Sequence, residues 1–108
     1  MTSPTFAYSV IATFDDPALV DAWTDWLRRT HFADVCAAGA ATAQLIVHDV
    51  EAGEPPCLEA RYTFTDRDAF LTYEQQHAPR LRQEGLGLFP VGIRYRRTTG
   101  PIALVYPI

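Results

Sequence analysis

The sequence predicts an α+β fold of the ferredoxin-like kind, β-α-β-β-α-β, built on a four-stranded antiparallel sheet. Three observations carry that prediction. Residues 5–14 and 57–65 alternate apolar and polar side chains with period two, as half-buried strands do. Between them Leu19, Trp23, Trp26 and Leu27 recur at helical spacing. In the middle of the chain an AGEPP run, residues 52–56, divides two strand-like segments and marks a hairpin.

Each element follows in order. In the first strand Phe6, Tyr8, Val10, Ala12 and Phe14 point one way and Ala7, Ser9, Ile11 and Thr13 the other. Asp15-Asp16-Pro17 starts a helix, with a carboxylate to cap it and proline in its first turn. The helix is expected to run to about Thr30, with Arg28 and Arg29 near its end complementing the dipole. His31 to Ala38 reads as a connector, and Gly39 supplies the backbone freedom to turn out of it. Residues 41–50 form the second strand and 57–65 the third, with Leu58, Ala60, Tyr62 and Phe64 on one face. Thr65-Asp66 caps a second helix through Phe70, Tyr73 and His77, and Pro79 interrupts it with a kink or a restart. Residues 91–98 are the last strand, Gly100-Pro101 breaks it, and an apolar tail over 101–108 closes the chain.

The length of 108 residues fits a single domain over 1–108. A net charge of −4 gives no electrostatic case for nucleic acid or acidic lipid as a partner. The apolar runs are far shorter than the ~20 residues a membrane helix needs, so no membrane partner is expected. MTSPTFAYSV lacks a basic region followed by an apolar one, so no secretory leader is expected and the protein reads as cytoplasmic. Cys36 and Cys57 lack metal-site or C-x-x-C spacing and read as reduced thiols.

The run Trp23, Trp26, Leu27, His31, Phe32, Val35 and Gly39 follows the pattern W-x-x-W-[ML]-x-x-x-H-[IF]-x-x-V and then glycine. In this it resembles the bacterial family called domain of unknown function 4286. The resemblance spans roughly residues 6–97 and continues through Tyr8, Val10, Tyr62, Tyr73, Ala78-Pro79, Leu81-Arg82, Phe89 and Arg94. Ala33 and Ala38 stand where members often carry proline and threonine, and Arg61 where they carry glutamine. The resemblance implies a fold of the dimeric α+β barrel type, in which two ferredoxin-like sheets pack face to face. It implies no reaction.

Several residues admit two readings. Trp23 and Trp26 share a helix face and form either an aromatic wall for a flat ligand or core packing against the sheet. His31 is either a proton acceptor or donor beside a pocket or a cap on free helix carbonyls. Tyr73 and His77, four apart, are either an acid–base pair lining a cavity or a wet helix edge. The second sheet face carries Gln44, Ile46, His48, Glu59, Arg61, Thr63, Arg94 and Arg96. Arginines there either grip an anionic small molecule or pair across a dimer interface. His31, Tyr62 and Tyr73 are expected to approach one cavity, with Arg61 or Arg94 at its rim. His31, His48 and His77 are too scattered for a metal site. No nucleophile motif or glycine-rich phosphate loop is present, since Gly85-Leu86-Gly87 is too short and does not open a helix. No cofactor is expected.

Three functions compete. The first is a homodimer binding a small organic ligand between sheet and helices. The second is a cofactor-independent enzyme of the monooxygenase or isomerase kind, and the third a structural or interaction dimer without catalysis. A polar group with a partner inside an apolar cavity separates the enzyme from the others.

Overall fold

The computed structural model describes residues 5–107. The expected absence of a leader rests partly on Met1–Pro4, and the apolar tail includes Ile108; these positions lie outside the described residues. Strand β1 (Phe6–Phe14) leads into α1 (Leu19–Trp26), a π-helical turn (Leu27–His31) and α2 (Phe32–Ala37). The hairpin β2 (Thr42–Val47) and β3 (Cys57–Phe64) follows, then α3 (Arg67–Gln76), α4 (Ala78–Leu88) and β4 (Ile93–Pro101). The strands form one antiparallel sheet in the order β2-β3-β1-β4, a ferredoxin-like α+β arrangement.

Period-two alternation divides the sheet into two faces. Tyr8 pairs with Tyr62, Val10 with Ala60 and Arg97, and Ala12 with Leu58 and Tyr95. This face meets the helices, and Phe6, Tyr8, Phe14, Leu58, Tyr62 and Phe64 are buried with Trp23, Leu27, Val35, Phe70 and Leu81. Burial of each such side chain contributes about 1.5–3 kcal/mol of transfer free energy. Ser9, Ile11, Glu59, Arg61, Arg94 and Arg96 occupy the open face.

The helix after β1 corrects the expected connector. It does not end near Thr30, because no residue between Leu19 and Ala38 is proline or glycine. The chain stays helical through a π-turn, closed by Phe32 N donating to Leu27 O, and continues to Ala37. Gly39 then adopts φ +129°, Ala40 N donates to Val35 O at 3.2 Å and Gly39 N to Cys36 O at 3.1 Å. This is a Schellman ending, with Val35 and Ala40 both buried behind it. His31 therefore caps nothing; it lies inside the helical segment.

Other expectations shift by up to three residues. Asp16 caps the turn before α1, its Oδ1 accepting from Ala18 N at 3.0 Å. Asp66 caps α3 by accepting from Ala69 N at 2.8 Å, and the chain restarts as α4 with Pro79 in the first turn. Strand β2 ends at Val47 and not at residue 50. Gly100-Pro101 does not break the last strand. Both pair with β1, because β4 lies at the sheet edge, where the missing proline donor is tolerated.

Candidate functional site

Between the helices and the apolar sheet face lies a cavity of about 220 Å³. Its floor is Tyr8 and Val10 of β1, Ala60 and Tyr62 of β3, and Tyr95 and Arg97 of β4. Trp23, Trp26 and His31 form one wall; Tyr73 of α3 and Leu81, Arg82, Gly85 and Leu86 of α4 form the other. An apolar cavity of about 150 Å³ is enough to hold benzene, so this space suits something somewhat larger.

The π-turn builds the wall. Trp26 and His31 stack with ring centroids 4.3 Å apart and planes at 22°. Phe89 leans on the other side of the same indole at 5.8 Å. Gly85 lets the indole settle against α4: a Cβ there would meet Trp26 Cη2 at 3.1 Å. Trp23, three residues earlier, is buried edge-on against Phe14 at 5.4 Å. Both tryptophans line the cavity, but Trp23 is also a fully buried part of the core, whereas Trp26 is only partly buried against it.

Tyr8, Tyr62 and Tyr73 cluster beneath this wall, Tyr8 lying 5.7 Å from Tyr62 and 6.1 Å from Tyr73 between ring centroids. Burial pushes the Tyr62 and Tyr73 hydroxyls well above the usual phenol range, so both remain donors. Arg82 Nη2 donates to Tyr8 Oη at 3.2 Å and pairs with Glu74 Oε1 at 2.9 Å. The guanidinium stays charged: burial opposes it, but the Tyr8 bond and Glu74 prevail. Arg97 lies over the Tyr95 ring, 5.7 Å from its centroid.

Burial lowers the His31 pKa to about 4, only partly opposed by Asp34, so the imidazole is neutral near pH 7. Among the described residues Trp23 Nε1, Trp26 Nε1, His31 Nδ1 and Arg82 Nε are buried without a hydrogen-bond partner. Native structures contain few such atoms, yet all four belong to residues lining this cavity.

The structure thus brings Trp23, Trp26, His31, Tyr62 and Tyr73 together around one space. It separates Arg61, Arg94 and His77 from them. Arg61 Nη2 pairs with Glu59 on the open face at 3.0 Å, because strand alternation turns position 61 away from Tyr62. Arg94 Nε pairs with Asp15 at 3.0 Å at the sheet end. His77 breaks the α3–α4 helix and meets Arg80 through Nδ1 at 3.1 Å. The cations that do reach the cavity are Arg82 and Arg97. Arg97 was legible from strand parity, two residues past Tyr95 on the inward face, and Arg82 from its place one turn after buried Ala78.

No group of three or more His, Cys, Asp or Glu among the described residues is arranged to hold a metal ion. No helix among them is long and apolar enough to cross a membrane.

Sheet order and helix placement define a ferredoxin-like α+β protein. The chain belongs to the family described as Domain of unknown function (DUF4286), whose model matches residues 6–99. Among solved structures it is similar to a dimeric ferredoxin-like protein from an uncultured marine organism, at 15% identity and a TM-score of 0.69, covering 95% of this chain and 99% of that one. It is similar to a variant of SnoaB, a cofactor-independent oxygenase from Streptomyces nogalater, at 16% identity and a TM-score of 0.67, over 98% of this chain and 100% of that one. HapK from Hahella chejuensis shares 18% identity and a TM-score of 0.62, over 94% and 98% of the two chains. No curated protein matches the sequence. At these identities the likeness carries the fold alone.

Proposed function

We propose that this chain is a single cytoplasmic domain that acts as a homodimer and binds a small, flat organic molecule between sheet and helices. One observation carries the reading: the cavity has a stacked Trp26–His31 wall, and its lining residues, Arg82 and Arg97 among them, include four unpartnered buried nitrogens. A flat ring fits the aromatic wall. Carbonyl or carboxylate oxygens on it suit Arg82 and Arg97, which only donate hydrogen bonds.

Association with a second copy is supported by what the single chain leaves open. Ile11 and Ile46 flank Glu59 on the uncovered sheet face. Beyond β4, Leu104 and Tyr106 are 82% and 90% exposed. Apolar surface of this kind favours a protein partner, and a structural relative is itself described as dimeric.

A second reading, the cofactor-independent enzyme, is favoured by His31. Its neutral imidazole offers a hydrogen-bond acceptor to a bound phenol or enol and so orients it for reaction, while burial, which holds its pKa near 4, makes it a weak base. The SnoaB likeness adds only fold-level analogy.

Equilibrium dialysis with 2-naphthoate, a flat bicyclic carboxylate, tests the binding reading. Saturable binding that weakens in Arg82→Met supports it. Absence of binding at millimolar probe, or binding indifferent to Arg82 and Trp26, contradicts it.

A further inference from the structure

A second constellation lies on the opposite face of the sheet. His48 leaves β2 with its backbone N–H still donating to Cys57 O at 2.9 Å, the last bond of the hairpin. That bond sets the His48 ring beside two open-face residues of β3, Cys57 and Glu59. His48 Nδ1 lies 3.5 Å from Cys57 Sγ, and His48 Nε2 lies 2.8 Å from Glu59 Oε1.

Glu59 is only 7% exposed although it faces outward. Its other oxygen accepts from Ser9 Oγ at 2.7 Å and from Arg61 Nη2 at 3.0 Å. Burial alone would raise its pKa. Hydrogen bonds from His48, Ser9 and Arg61, with the Arg61 charge, hold it below its ordinary value instead. An ionised carboxylate only accepts, so the hydrogen between them sits on His48 Nε2. A neutral imidazole then presents a bare Nδ1, and that is the atom facing the thiol. In that tautomer the 3.5 Å contact lets Cys57 S–H donate to Nδ1. Thiol, proton-accepting imidazole and buried orienting carboxylate form the arrangement of an activated nucleophile. Because Glu59 holds the far nitrogen of the ring, the three do not converge on a common point as metal ligands would. Cys36 is an internal contrast: it is exposed, and no side-chain hydrogen bond reaches its sulfur among the described residues.

We infer that Cys57 is a nucleophilic site for small α,β-unsaturated carbonyl compounds, with His48 as its proton acceptor and Glu59 as the positioning residue. In the addition, a bond forms between Sγ and the β-carbon while the carbon–carbon π bond breaks. The thiol proton passes to His48 Nδ1 and from there to the α-carbon, so no further reactant is consumed. Cys57 is only partly exposed, which restricts the partner to a small molecule.

Acrylamide alkylation of the folded protein, followed by peptide mass mapping, tests the inference with Cys36 as reference. The proposed dimer sets Ile11 and Ile46, the neighbours of Glu59, against a second copy, so the hairpin end of the face, where Cys57 and His48 sit, must stay outside that contact; a Cys57 covered by a second copy reads as slow and overturns the inference. Near neutral pH Cys57 is expected to react about tenfold faster than Cys36 or more, despite its lower exposure. His48→Ala is expected to remove that advantage and leave Cys36 unchanged. The rise in the Cys57 rate from neutral to alkaline pH is expected to be shallow in the native protein. In both His48→Ala and Glu59→Gln it steepens to match Cys36, a change that loosened packing alone does not produce. A Cys57 rate no greater than that of Cys36, which needs no variant to observe, overturns the inference. So does a rate unaffected by His48→Ala. Neither result bears on 2-naphthoate binding, which concerns the other face of the sheet.

Discussion

The imidazole of His31 lies almost flat on the indole of Trp26, with ring centroids 4.3 Å apart. In a regular α-helix, residues five apart are separated by about 140° around the axis and cannot stack in this way. The π-turn over Leu27–His31 adds the residue that brings them into line. The cavity wall is therefore a product of one local irregularity in an otherwise regular helix.

That placement makes His31 a source of pH dependence. Its pKa is about 4 in the folded chain against 6.5 for the unperturbed group, with burial the main cause. Between those values the unfolded state holds the additional proton. Stability is therefore unaffected by His31 above pH 6.5 and falls as pH drops through the window. The loss on going from pH 7 to pH 5 is about 2 kcal/mol. Urea midpoints at the two pH values measure it, and His31→Gln is expected to flatten the difference. Glu59, whose pKa is lowered, adds its own loss only below about pH 4.5, outside the compared range. An equal drop in the variant contradicts the assignment.

The two tryptophans are expected to differ in stability cost. Trp23 is 2% exposed and packs against Phe14, so Trp23→Ala loses about 3–5 kcal/mol. Trp26→Ala loses less, because that ring is only partly buried. Urea unfolding of both variants decides the matter, and equal losses contradict the division.

Gly85 tests the fit of the wall to α4. Gly85→Ala gains up to about 1 kcal/mol of helix propensity, offset by a Cβ placed 3.1 Å from the Trp26 ring. The expected result is little change in thermal stability and several-fold weaker 2-naphthoate binding. Unchanged affinity shows that the position of Trp26 over Gly85 does not matter to the site.

The open face predicts assembly. Sedimentation equilibrium at micromolar concentration is expected to give twice the 12.1 kDa chain mass. Ile46→Lys, placing a charge opposite Glu59 on that face, is expected to shift the protein toward monomer. A clean monomer in the native protein contradicts the proposal.

Much of the fold was legible because its signals are local. Strand alternation, the Asp66 cap and the turn-forming AGEPP run each act within a few residues, and all fall where the sequence predicts. The π-turn was not legible: Arg28, Arg29 and His31 resemble a helix end, and only the absence of a breaker before Gly39 argues otherwise. The cavity was half legible for the same reason. Tyr62 and Tyr73 follow from strand and helix periodicity. Arg61 and Arg94 lie away from the cavity, because strand parity turns both to the open face while Arg97 points inward. The Cys57–His48–Glu59 cluster depends on hairpin register, since His48 lies nine residues before Cys57 and eleven before Glu59 along the chain.

The chain contains two tryptophans, so its amide–nitrogen correlation spectrum carries two indole signals, assignable from single variants. Titration with 2-naphthoate reads the proposed cavity directly. The Trp26 indole signal is expected to shift saturably, and the shift to be lost in Arg82→Met while the variant remains folded. A Trp26 signal that stays fixed through a millimolar titration of the folded native protein contradicts binding in the cavity.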